Sequence, residues 1–370
     1  MMKPSMSKSL WLLALWCSAT LLCVMAAATV TGVENDNRKH VCMAKGQCEL
    51  EEPDAALIDA PGEPTTGSRD SIKASQFSTR RVASTFIAPE QRENEGTTIR
   101  RSLGSQQLPS LDPFLMLDDI DMGLPGGFPD HPHRGLETVT YLLPTSKGSM
   151  RHESFLGNRG ELRPGDLQWL TAGSGMLHAE MPASEERTHG LQLWINLPKT
   201  SKTMTPRYQE IRQEDAYHVW DEAKKVEAIV FAGEVFGHKG PAQSLSPVSF
   251  IHFRLRQGAD LKHRIPVGHN AFIYVLTGSG TCADETIVEH QAIALEMEGD
   301  GIHVRTEDAR GLEFIFVSGQ PLNEPVAKHG PFAMNTETEI HQTFSDYQLG
   351  KNGFENAPTW VSDIGGRRLF

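Results

Sequence analysis

Residues 125–143 read PGGFPDHPHRGLETVTYLL, and the order of residue types in that stretch decides the fold. Its opening is rich in Pro and Gly, which a helix interior does not accept. His131 and His133 stand two positions apart, so an extended strand presents both imidazoles on one face. Residues 137–143 (ETVTYLL) then supply the β-branched and aromatic side chains of a buried strand. The same texture returns at residues 191–197 (LQLWINL), 271–277 (AFIYVLT) and 312–318 (LEFIFVS). These runs are bounded by Gly and Pro and spaced too closely for long helices between them, so the chain is expected to be all-β.

The strands repeat. Tyr141, the turn at residues 173–178 (GSGMLH) and Trp194 are echoed in the same order by Tyr274, residues 299–303 (GDGIH) and Phe316. A duplicated small barrel accounts for that order. The polar stretch at residues 199–225 divides the copies, which predicts an N-terminal metal-binding barrel over residues 81–210 and a C-terminal barrel without metal over residues 211–370.

The donors for a metal lie in the first copy. Beside His131 and His133, residues 177–182 (LHAEMP) carry His178 and Glu180 with the same period of two, so a second strand offers an imidazole and a carboxylate to one face. Between the pairs, residues 163–178 (RPGDLQWLTAGSGMLH) hold the turn formers that sharp reversals need. Three nitrogens and one oxygen suit iron, manganese, nickel, copper or zinc, and spacing does not choose among them. A six-coordinate ion on four protein ligands keeps two positions open for chemistry. The second copy lacks the pattern: it offers only His269 and Asn270 near the first pair, and His303-Val304-Arg305 against His178-Ala179-Glu180. Arginine has no lone pair to give a cation.

With residues 100–104 (RRSLG), 111–119 (LDPFLMLDD), 125–143, 164–182, 189–198 (HGLQLWINLP), 330–336 (GPFAMNT) and 351–360 (KNGFENAPTW), the chain resembles the pirin family over residues 80–370. The resemblance implies a bicupin, two jelly-roll barrels of the double-stranded β-helix type in tandem. It implies one iron ion per chain, with other divalent transition metals as alternatives, on His131, His133, His178 and Glu180. Glu137 stands where many other cupins place an acidic ligand, but the family pattern assigns the carboxylate to Glu180. Asp130, Arg134, Gln168, Gln192 and Trp194 belong to the same segments, and the polar ones are candidates to hydrogen-bond an imidazole or a ligand. The activity implied is a quercetin 2,3-dioxygenase, opening a flavonol between carbons 2 and 3 with O2 and releasing carbon monoxide. In that reading Glu180 is also a candidate proton acceptor. The alternatives are an iron-dependent redox-sensing cofactor that binds transcription regulators, as animal pirins are described, and a metal-bearing cupin without turnover.

Charge and composition limit the partners. With 47 acidic and 35 Lys and Arg residues the net charge is -12. A direct nucleic-acid binder needs a basic face, so small molecules and proteins are the expected partners. Five cysteines form no CxxC pair, which excludes a zinc ribbon, although Cys42 and Cys48 could close a small disulfide loop in an oxidising compartment. No N-x-[ST] sequon occurs. Residues 1–30 place Lys3 and Lys8 before an apolar run ending in Ala26, Ala27 and Ala28, the layout of a signal peptide or, if uncleaved, a membrane anchor. Residues 31–80 are polar, Pro- and Gly-rich, and read as a disordered linker.

Entry to the secretory pathway, and from there secretion, the endoplasmic reticulum or a plastid, is therefore expected over the nuclear or cytoplasmic location of other pirins. A fusion of residues 1–40 to a fluorescent reporter should label secretory membranes. Diffuse cytosolic or nuclear fluorescence would count against the leader.

Overall fold

Alternation along the strands sorts side chains into separate interiors, and the sheets follow from that sorting. The computed structural model describes residues 77–365. The leader at residues 1–30, residues 31–76 of the expected linker, and Cys17, Cys23, Cys42 and Cys48 lie outside the described residues. Among the described residues no helix is long and apolar enough to cross a membrane.

One seven-stranded sheet runs, edge to edge, through Arg207–Ile211, Leu167–Thr171, Leu136–Leu142, Thr188–Asn196, Phe114–Met122, Thr97–Leu103 and Glu90–Asn94. A second follows the order Val82–Ile87, Gln291–Leu295, Asn270–Cys282, Leu312–Gly319, Val248–Leu255, Val226–Ala232 and Tyr217–Trp220. Position by position these are copies, and every neighbouring pair within them is antiparallel. Each large sheet faces a smaller one. In the first half this is Phe128–His133, Met176–Pro182, Met150–Ser154 and Arg159–Leu162. In the second half Ala259–Arg264 pairs Gly301–Thr306, which joins the far end of Asn270–Cys282. The architecture is thus the expected all-β bicupin, with facing sheets in place of closed hydrogen-bonded barrels.

The copies pack large sheet on large sheet. Val139, Tyr141, Trp169 and Leu193 of the first half share one buried cluster with Phe231, Phe250, Phe272, Tyr274 and Ile315 of the second. Two tyrosines tie the faces reciprocally. The Tyr141 hydroxyl and His252 Nδ1 share a bond of 3.0 Å, and the Tyr274 hydroxyl donates to Asp119 at 2.8 Å. Register makes these positions equivalents: Leu191 lies opposite both Tyr141 and Asp119, as Ile315 lies opposite both Tyr274 and His252.

The ends of the chain cross between the halves. Strand Val82–Ile87, assigned from the sequence to the first barrel, is an edge of the second large sheet through its pairing with Gln291–Leu295. Conversely, Phe332, Ile340, Tyr347 and Phe354, assigned to the second barrel, pack with Met176 and Leu177 of the first. Alternation reports which face of a strand is buried but not which sheet an edge strand joins, so sequence alone does not show this crossing. The helix Glu337–Leu349 in this segment begins with a capping box, Thr336 with Glu339, and ends on left-handed Gly350.

Because the shared cluster belongs to both halves, they should unfold together. Phe231→Ala empties a fully buried site in it and should cost about 3–5 kcal/mol while one cooperative thermal transition persists. Two resolved transitions in scanning calorimetry of the wild-type protein would refute a common core.

Candidate metal centre

The strand Phe128–His133 reaches the interior through its last inward positions. Gly135 follows at φ +77°, and a Cβ there would lie 2.0 Å from the Ala333 carbonyl oxygen. The close approach needs glycine, and it lets the chain turn directly into Leu136–Leu142. His131 lies opposite His178 in the antiparallel register and His133 opposite Met176. The three imidazoles therefore meet: ring centroids are 4.3 Å apart for His131 and His178, 4.9 Å for His131 and His133, and 5.0 Å for His133 and His178. A ligand atom from each lies within 4.8 Å of the others, and all three residues are buried.

Their hydrogen bonds point the same way. Pro129 and Pro331 carbonyls lie 2.8 Å from His131 Nδ1 and 3.3 Å from His133 Nδ1, which fixes the proton on that nitrogen and leaves Nε2 as an acceptor. Nε2 of His133 and of His178 is buried with no hydrogen-bond partner. Burial lowers His131 to about 4. Burial and then the neighbouring His131 hold His133 and His178 well below the ordinary histidine range. Neutral, converging and unsatisfied imidazole nitrogens fit a transition-metal ion.

Glu180 stands outside that cluster but faces the same interior. Its Oε1 accepts from Thr140 Oγ1 at 2.8 Å and its Oε2 from Gln192 Nε2 at 2.9 Å. Gln192 Oε1 in turn accepts from Trp194 Nε1 at 3.0 Å, and the Trp194 ring stands edge-on to His133 at 5.1 Å. Burial raises the Glu180 pKa, so a cation beside the carboxylate would favour its charged form. A cavity of ≈ 10 Å³, walled by Ile120, Met122, Leu142 and Met150, adjoins Glu180.

Glu137 does not share this interior. Odd-numbered Glu137, Val139 and Tyr141 turn toward the second half, and Glu137 accepts from Thr171 at 2.7 Å and Ser244 at 3.0 Å. Arg134 is a clamp: it donates to Ser174 and Asn352 carbonyls, pairs with Asp346 at 2.8 Å and covers the Phe354 ring. Asp130, fully buried, accepts hydrogen bonds from the Ser362 backbone N–H and hydroxyl. Gln168 turns inward, its Oε1 without a partner.

Thr140, His152 and Lys202 escaped the sequence reading. His152 lies opposite Glu180 on the next strand, with Nε2 3.2 Å from the Tyr208 hydroxyl. Buried Lys202 donates to the Gly135 and Ala333 carbonyls and to Asn196, which fastens the turn behind His133. None of these residues belongs to a motif; they are recognisable only once strand register is known.

The second half requires a correction. His303 and Arg305, set against His178 and Glu180 from the sequence, face outward, where they meet Asp260 and Asp284. The inward residues are Ile302 and Val304. A shift of one residue exchanges the faces of a strand. His263 lies opposite Ile302 as His131 lies opposite His178, so a single inward histidine keeps its place.

Comparison with known proteins agrees with this geometry. The Pirin family profile matches residues 96–195, and the profile described as "Pirin C-terminal cupin domain" matches residues 250–353. Mouse Pirin is 45% identical over 291 residues, 78% of this chain and 99% of the mouse protein. A pirin-like protein of tomato (Solanum lycopersicum) is 43% identical over 76% of this chain and 96% of its own length. Among solved structures, a quercetin 2,3-dioxygenase from Acinetobacter baumannii superposes with a TM-score of 0.68 and 30% identity, covering 75% of this chain and 99% of that one.

After metal loading and dialysis, elemental analysis should find about one transition-metal ion per chain. His178→Ala should lower retention at least as much as the roughly 10- to 100-fold that outer-sphere substitutions cause, whereas His303→Ala should leave it unchanged. A stoichiometry near two, or metal loss in His303→Ala, would show a second site.

Proposed function

This chain belongs to the pirin family, and we propose that it is a mononuclear iron protein with flavonol 2,3-dioxygenase activity, its ion held by His131, His133, His178 and Glu180. The observation that carries the reading is the set of three converging, neutral imidazoles, with the buried Nε2 atoms of His133 and His178 left without partners. The 30% identity to a quercetin 2,3-dioxygenase supports the choice of substrate.

Iron bound there would supply a Lewis acid and one-electron chemistry toward O2. The chain's own groups set the rest. Glu180 brings a carboxylate into a buried interior, and Thr140 and Gln192 fix the direction of its oxygens. Their remaining lone pairs can take the proton of the flavonol 3-hydroxyl. Trp194 and the Ile120, Met122 and Leu142 side chains limit access of water.

A second reading draws on one observation. The cavity beside Glu180 is ≈ 10 Å³, space for about one water molecule and too small for a flavonol. In this alternative no substrate is turned over, and the oxidation state of the ion changes the field seen by a protein partner.

Oxygen uptake by the iron-loaded protein separates the readings. With quercetin the wild type should consume O2, and Glu180→Gln should reduce both iron affinity, by about 10- to 100-fold, and uptake. Glu137→Gln should alter neither much, since that carboxyl faces the other half. Bound iron without uptake on any flavonol would leave the partner-binding reading.

A further inference from the structure

A large cleft lies away from the metal centre. A cleft of ≈ 1200 Å³ opens at the mouth of the second half, between the turn around Glu234–Val235 and His238–Lys239, residues 240–249, and the end of Ala259–Arg264. It leads to the interior that corresponds to the metal-bearing interior of the first half, because His263 on its wall lies opposite Ile302 as His131 lies opposite His178. The donors that would make this a metal site are replaced by Ile302 and Val304.

The cleft wall is mixed, with apolar Val235, Phe236, Leu245 and Ile265 among polar groups, and the packed interior of the second half lies behind it. His263 lines the cleft and stacks edge-on against Phe253 at 5.4 Å and Phe316 at 5.1 Å. Burial lowers it to about 4, so the ring is a neutral donor and acceptor at physiological pH. Ser246 Oγ, also on the wall, is buried without a partner. Ser249 lines the cleft from the same inward face as Ile251 and Phe253. Buried polar groups without partners carry a cost that a bound molecule can relieve. Charge at the rim selects its sign: Lys239 and Lys262 have no ion pair among the described residues, Arg264 shares Asp300 at 3.5 Å, and Glu234 is the one carboxylate on the wall.

We infer that the second half is a binding site for a small hydroxylated aromatic carboxylate, its ring against the apolar wall, its hydroxyl on His263 and its carboxylate toward the basic rim. A concave site that joins an apolar wall to a few convergent polar groups is the usual form of a small-molecule site. The duplicated fold thus puts different chemistry in each half.

Isothermal titration of the full-length, iron-loaded protein with 4-hydroxycinnamate tests this. Wild type and His178→Ala should bind it alike, since the first half is not involved. His263→Phe keeps a ring of similar shape without its nitrogens and should weaken binding by about tenfold. Lys239→Glu, at an exposed position, should weaken it further as salt is lowered, because repulsion replaces attraction. Ser249→Trp should abolish binding by filling the mouth. Thermal melts identify any variant that fails to fold, and exposed Lys239→Glu carries the test if the interior variants do. The inference is overturned if wild type shows no binding at millimolar ligand, if the folded variants bind as wild type does, or if His178→Ala loses the ligand while His263→Phe keeps it.

Discussion

Strand Leu136–Leu142 is buried on both faces, and the structure depends on how its alternation divides those faces. Val139 and Tyr141 enter the cluster that joins the halves, while Thr140 enters the metal-bearing interior and bonds Glu180. One strand thus couples the largest apolar core to the orientation of the single inward carboxylate beside the histidines. A slip of one residue would bring Glu137 inward and expel Thr140. The cost of burying the wrong polar set is what fixes the register.

The same alternation explains why only one half gathers metal donors. Both halves use the same order of large-sheet strands, so topology does not discriminate between them. The inward residues on the paired small-sheet strands do: His131 and His178 in the first half, His263 and Ile302 in the second. Replacing one imidazole and one carboxylate by Ile302 and Val304 turns an interior with unsatisfied nitrogens into a hydrophobic one, where a divalent ion would lose its hydration without recovering ligands.

Much of this was legible in the sequence, and for a definable reason. His131, His133, His178 and Glu180 announce themselves because period two is local, and the long runs at Tyr141 and Tyr274 announce paired sheets in the same way. The exclusion of Glu137 also follows from parity once Thr140 is known to face Glu180. What the sequence concealed depends on register between distant strands. His303 resembled a ligand position because the repeat was aligned on Gly and His, and a single-residue offset was invisible. Thr140, Lys202 and the crossing of Val82–Ile87 to the second sheet have no local signature at all.

That crossing bears on whether the metal-bearing half is a separable unit. The turn that carries His133 is tied to the C-terminal segment: Lys202 joins the Gly135 and Ala333 carbonyls, and Arg134 reaches Asp346 and Asn352. His133 itself orients its ring on the Pro331 carbonyl. Residues 331–352 come after the last strand of the second large sheet, Leu312–Gly319, so that sheet must be traversed before the first site is complete. The second half need not hold a metal to be required for one. Its large sheet buries Tyr141 and Trp169, and the segment that leaves it returns to lock the ligand-bearing turn. A duplicated fold can therefore give up the chemistry of one copy and still depend on that copy for the geometry of the other.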